Sequence, residues 1–146
     1  LNRSLAVVFA AAVLAATAAT PAFARVGLHA GLCLDPDDFL VGVHFESQPI
    51  EESLVLVPSI EAGFGDITMI AGNLDLHYNF KTQSKLAPFA GGGLTINWFD
   101  FDGGSSTDFG GSLLGGIQLS PSMFLEAKVG LGDVPDFKFF VGWHRP

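Results

Sequence analysis

The sequence predicts an all-β protein, an eight-stranded antiparallel up-and-down transmembrane β-barrel with its apolar face outward. Three observations carry that expectation. Apolar and polar residues alternate with a period of two through most of the chain after residue 24; aromatic residues gather at the two ends of the apolar face; and glycines gather on the polar face.

The alternation is clearest at 70–80, IAGNLDLHYNF. Ile70, Gly72, Leu74, Leu76, Tyr78 and Phe80 point one way, and Ala71, Asn73, Asp75, His77 and Asn79 the other. Successive side chains of a strand point to opposite faces, so this stretch reads as a strand with one apolar and one polar face. Upstream, 26–34 carries Val26, Leu28, Ala30, Leu32 and Leu34 on one face. A turn at Asp35-Pro36-Asp37-Asp38 leads to 39–46, with Phe39, Val41, Val43 and Phe45 together. A loop over 47–53 precedes 54–64, apolar at Leu54, Leu56, Pro58, Ile60, Ala62 and Phe64, and Gly65-Asp66 turns into the 70–80 strand. After the polar turn Thr82-Gln83-Ser84-Lys85 the alternation resumes over 86–98. FDFDGGSSTD, 99–108, reads as the longest polar loop and the most mobile. Strands follow over 108–119, 123–131 and 136–144, separated by Ser120-Pro121-Ser122 and by 132–135. Nothing after Ala24 sustains a helical period.

Alternation alone does not say which face is outside, because a lipocalin-like soluble barrel alternates too. Let the first strand run outward from the periplasm. The apolar face then carries Phe39, Phe64, Trp98, Phe109 and Phe137 at its outer end, and Phe45, Tyr78, Phe80 and Trp143 at its inner end. Aromatic rings bounding an aliphatic band match the girdles of a lipid-facing surface. The polar face holds Gly27, Gly31, Gly42, Gly63, Gly91, Gly93, Gly110, Gly116, Gly130 and Gly142. Small residues belong where side chains must fill a narrow interior. Charge agrees: only 15% of residues are charged, against roughly 25% in soluble domains.

Residues 1–24 read as a signal peptide. Arg3 supplies a positive start, 5–19 an apolar stretch, and Ala22-Phe23-Ala24 a cleavage site. Cleavage is expected after Ala24, leaving 25–146 as one barrel domain exported to the outer membrane of a Gram-negative bacterium. The net charge of −8 argues against nucleic acid, whose phosphates need a basic surface. The single cysteine, Cys33, forms no internal disulfide and reads as a small apolar filler.

LHYNF (76–80), LAPFAGGGLTINW (86–98), SLLGGIQLS (112–120), MFLEAKVGLGD (123–133) and FKFFVGW (137–143) resemble the small outer-membrane β-barrel domains of OmpA/OmpX-type proteins. The resemblance spans essentially all of 25–143. It implies a porin-like eight-stranded barrel held in outer-membrane lipid and placed there by the outer-membrane insertion machinery. Such barrels usually end in an aromatic residue that this machinery reads, whereas here His144, Arg145 and Pro146 follow Trp143.

The polar face collects His29, His44, Glu46, Glu61, Asp75, His77, Glu126, Lys128, Lys138 and His144. In a narrow lumen every charge must find a partner, so ion pairing between Glu61, Asp75, Glu126 and Lys128, Lys138 is expected whatever the function. A hairpin pairing Leu131 with Phe137 would set Lys128 opposite Phe140. The run His44-Phe45-Glu46-Ser47 supplies residue types of a hydrolytic triad, but chain order does not make one. Asp35, Asp37, Asp38, Asp100, Asp102 and Asp108 could hold a divalent cation, or bridge through one to anionic lipopolysaccharide, but they lack a known calcium-loop spacing and suit solvated turns. No catalytic, cofactor-binding or metal-ligating residue is assigned, and no cofactor is expected.

The sequence therefore points to a monomeric, non-enzymatic outer-membrane barrel, plugged by its side chains, with a structural or surface-interaction role. Two other readings share the alternation: a soluble periplasmic barrel binding a small apolar ligand, and a lipid-modifying outer-membrane enzyme.

Overall fold

The structure, a computed structural model, describes residues 23–34, 37–65, 68–101, 104–132 and 137–145. Eight strands follow one another: β1 (Phe23–Leu34), β2 (Asp38–Ser47), β3 (Leu54–Gly65), β4 (Thr68–Asn79), β5 (Ala87–Phe101), β6 (Gly104–Ser120), β7 (Met123–Gly132) and β8 (Phe137–His144). Each pairs antiparallel with its neighbour in sequence, and β8 returns to β1 to close the barrel. The closing ladder runs from Gly27 opposite His144 to Leu34 opposite Phe137. Closure removes the free edges that an open sheet would present for aggregation. The described residues include no helix.

The faces are as the alternation predicts. Along β4, Met69, Ala71, Asn73, Asp75 and His77 are buried, while Leu74, Leu76 and Tyr78 are exposed. On β5 and β6, Leu94 is 70% and Phe109 71% exposed. Phe39, Phe64, Phe109 and Phe137 line one rim of the outer surface, and Tyr78, Phe80 and Trp143 the other. Ala62, at 4% exposure, is covered despite its outward position, and among the rings so is Phe45. Its position in β2 places it on the outward face, yet it is only 8% exposed.

Two prolines show how the ladders tolerate a missing donor. The β2–β3 register stops at His44 opposite Ser59, just before Pro58, which keeps its pairing only on the β4 side. Pro88 likewise lies one residue past the last β4–β5 pair, Asn79 with Phe89. A residue without an N–H is placed where its ladder ends.

Three expectations are corrected. The segment 99–108 is not a long loop: β5 continues to Phe101 and β6 starts at Gly104, with Phe99 opposite Ser106 and Asn97 opposite Asp108. Its alternation of Phe99 and Phe101 with Asp100 is a continuation of the strand rhythm, which the run of Gly, Ser and Thr obscured. The β7–β8 register differs by two residues, so Val129 faces Phe137 and Lys128 faces Lys138 directly. The first strand begins at Phe23 rather than at residue 26. Residues 1–22 of the expected signal peptide lie outside the described residues.

The strand ends are joined unequally. Connections 48–53 and 80–86 lie at the barrel end that carries both β1's start and β8's finish, together with the short turn 121–122. At the opposite end the strands are separated only by 35–37, 66–67, 102–103 and 133–136.

Candidate functional site

The interior is where the chemistry collects. All ten polar-face residues named from the sequence, from His29 to His144, are buried. Two apolar clusters flank them: Cys33, Leu40, Met69, Phe99 and Phe140 toward one end, and Phe89, Leu114 and Phe124 toward the other. Cys33 is a filler in the first of these, as its sequence context suggests.

Between the clusters lie two ion pairs. Lys128 Nζ donates to Asp75 Oδ2 at 2.5 Å and also lies 3.9 Å from Glu126 Oε1. Lys138 Nζ donates to Glu61 Oε2 at 2.9 Å. His29 Nε2 lies 3.3 Å from Glu61 Oε1. The acids are among the most buried groups of the molecule, Glu61 at 1% and Asp75 at 2% exposure. Buried charges persist only when paired in this manner.

From His29 a chain of ring nitrogens runs toward the end bearing the termini. His29 Nδ1 is 3.1 Å from His44 Nδ1, His44 Nε2 is 3.0 Å from His144 Nδ1, and His144 Nε2 is 3.4 Å from Gln118 Oε1. The sequence makes room for it by a checkerboard. On β1, Gly27 is flanked by His44 and His144, and His29 is flanked by Gly42 and Gly142. A Cβ at Gly27 would strike the His44 ring, and one at Gly142 the Phe124 ring. The His29, His44, Phe89, Phe124 and Phe140 rings thus each lie over a glycine on a neighbouring strand, which is how a narrow barrel is filled. At the mouth, Arg25 Nη2 binds Glu46 Oε1 at 2.6 Å, a pair that the alternation does not single out.

A second polar set was also not anticipated. Asn73 Nδ2 donates to Ser59 Oγ at 3.1 Å, and Thr95 Oγ1 donates to Asn73 Oδ1 at 2.8 Å. These residues lie side by side on β3, β4 and β5. The signal was available in the register, not in any one strand.

The triad residue types do not assemble. Ser47 Oγ donates to Gln48 O and accepts from Leu56 N, while His44 is engaged with His29 and His144. Among the described residues the turn acids form no cluster with metal-ligand spacing: Asp37 is exposed, Asp38 is buried in β2 and Asp108 lies on β6, while Asp35 and Asp102 fall outside the described residues. Among the described residues, the group with metal-ligand spacing is an interior one, Asp75, His77 and Glu126.

His144 and Arg145, the residues following the last aromatic, extend the ladder. His144 N donates to Ser122 O at 2.8 Å and Arg145 N to Val26 O at 3.1 Å.

No protein-family model matches the sequence, and no curated protein matches it. Solved structures do match the fold. The N-terminal β-barrel domain of Pseudomonas aeruginosa OprF aligns with a TM-score of 0.63 at 17% identity, covering 83% of this chain and 97% of that one. Neisserial surface protein A (NspA) aligns with a TM-score of 0.58 at 16% identity, covering 82% of this chain and 93% of that one. The chain has the small eight-stranded barrel fold that its resemblance to OmpA/OmpX-type domains implies.

Proposed function

We propose that the chain is a monomeric barrel of the Gram-negative outer membrane, closed to solutes by its own side chains, with a structural or surface-interaction role and no enzymatic one. The observation that carries this reading is an inversion of the usual soluble pattern. Glu61, Asp75, Lys128 and Lys138 are inside, and Leu28, Leu32, Leu94, Phe109 and Leu113 are outside. Water does not stabilise a continuous exposed apolar belt of that size, whereas hydrocarbon does. A closed ladder also meets the bilayer's demand that every backbone polar group be satisfied. A soluble barrel that takes an apolar ligand would need an apolar interior, and this one is charged.

The same geometry supports a plug. Phe89 and Phe124, then the ion pairs, then Phe140 and Leu40 succeed one another through the lumen. Contacts with lipid and lipopolysaccharide would fall to the outer belt and to the end bearing 35–37 and the β5–β6 hairpin. Insertion would rest on the outer-membrane assembly machinery.

The test is membrane fractionation combined with gel mobility before and after heating. Recovery in the outer-membrane fraction, with a compact form that shifts on boiling, is the expected result. Recovery in the soluble periplasmic fraction would overturn the reading.

A further inference from the structure

Among the described residues, the central ion-pair network sets three carboxylates against two ammonium groups. Glu61, Asp75 and Glu126 face Lys128 and Lys138. Lys138 closes on Glu61 and Lys128 on Asp75, which leaves Glu126 3.9 Å from the nearer ammonium. A buried carboxylate without a close counter-charge is costly.

Glu126 has other company. Asp75, His77 and Glu126 each offer a ligand atom, and the three atoms lie within 4.8 Å of one another. Asp75 and His77 are two apart on β4 and so share its inward face, while Glu126 reaches in from β7. All three are buried, and two of their atoms, His77 Nε2 and Asp75 Oδ1, have no hydrogen-bond partner. Buried polar atoms are satisfied in the great majority of native proteins, so orphans of this kind point to a missing ion or water. A cavity of about 30 Å³, lined by these residues, adjoins them; roughly 10–15 Å³ suffices for one water-sized occupant.

We propose that Asp75, His77 and Glu126 form a site for one divalent transition-metal ion of the Zn2+ class inside the barrel. The donor set decides the class. One imidazole with two carboxylates suits zinc and its first-row neighbours, whereas calcium and magnesium take all-oxygen sets. Bonds of about 2.0–2.2 Å bring ligand atoms within about 4 Å of each other, a closure that Glu126 can supply by rotating its long side chain. Asp75 divides its oxygens: Oδ2 stays on Lys128 and Oδ1 is left for the ion. The phenyl ring of Phe89 stacks on His77 with centroids 5.1 Å apart at 11°, which holds the imidazole plane. Lys128 then acts as the outer partner that orients a ligating carboxylate. The site goes beyond the proposed role in the membrane and does not depend on it.

The test uses the full-length folded barrel in detergent, stripped of metal, with Zn2+ alone followed by calorimetry and Co2+ alone followed by visible absorption. One Zn2+ per barrel and a Co2+ spectrum that Zn2+ abolishes are expected. His77→Gln and Glu126→Gln should each weaken binding by more than the about 10–100-fold lost when only an outer partner is removed. His44→Gln, in the separate histidine chain, should leave it unchanged. Should a substituted barrel not fold, histidine 15N NMR of the unsubstituted protein decides: Zn2+ should shift the His77 ring nitrogens and not those of His29, His44 or His144. No binding by the unsubstituted barrel, or shifts confined to the other three histidines, would overturn the proposal.

Discussion

Lys128 and Lys138 are directly opposite one another on β7 and β8, yet their ammonium groups part to different acids, Lys128 to Asp75 at 2.5 Å and Lys138 to Glu61 at 2.9 Å. Like charges directly opposite on a sheet repel. Here each is drawn away by its own carboxylate on a distant strand, so the two pairs tie β7 and β8 to β4 and β3 through the lumen.

Those ties make a specific prediction. Lys128→Met alone should cost about 3–5 kcal/mol, because it strands Asp75 as a buried unpaired charge. Adding Asp75→Asn should restore part of that, with a coupling of about 0.5–3 kcal/mol in a double-mutant cycle on urea unfolding. Lys138 with Glu61→Gln should behave alike. Additivity within about 0.5 kcal/mol in both cycles would mean that the charges are hydrated singly.

The outer face should reject charge. Leu94 is paired with Leu74 in the middle of the β4–β5 ladder and stands well exposed. Leu94→Arg should cost about 2–4 kcal/mol in a lipid bilayer if that position is near the midplane. Asn73→Ala, on the inner face, is a less innocent control than its small size suggests. It removes the partner of both Ser59 and Thr95, at about 1–3 kcal/mol for buried groups left unsatisfied. Unfolding in lipid vesicles measures both.

The glycines of the inner face should not be interchangeable with those of the outer. Gly142→Val drives a side chain into the Phe124 ring, and about 1–3 kcal/mol of overpacking cost is expected. Gly115→Ala meets nothing nearer than Phe89 O at 3.9 Å and should be neutral or stabilising by about 0.4–1 kcal/mol. The denaturation midpoints of the two variants read this difference.

The lumen should not conduct. An eight-stranded barrel has an interior that side chains can fill, and Phe89, Phe124 and Phe140 lie across it. Purified protein in planar bilayers is expected to show no steady single-channel current. A reproducible unitary conductance would mean that the rings do not close the path.

What the chain revealed in advance follows from what a period of two encodes. Alternation fixes which way Asp75 or Leu76 points, so both faces and the interior residue set were legible. It does not fix register. Sliding β8 by two residues along β7 leaves every side chain on its own face, so Lys128 opposite Phe140 and Lys128 opposite Lys138 look equally good in the sequence. The histidine chain was illegible for a related reason. His29 and His44 meet across the β1–β2 hairpin, but His144 joins them only because β8 closes onto β1, a contact between the two ends of the chain. The 99–108 segment misled because glycine and serine mark turns as readily as strand tips, and only the pairing with β5 distinguishes them. Phe45 shows the opposite limit, since direction alone does not say whether an outward ring is covered.

The central claim, that the apolar face meets lipid, is tested most directly by tryptophan fluorescence in vesicles containing brominated lipids. Trp143 is exposed at one end of the outer face and Trp98 is half-buried near the other, and the chain has no further tryptophan. Both should be quenched by bromines close to the headgroups and less by bromines deep in the acyl chains, as girdle residues are. Emission that no bromolipid quenches, but that aqueous iodide does, would contradict an outward-facing membrane surface.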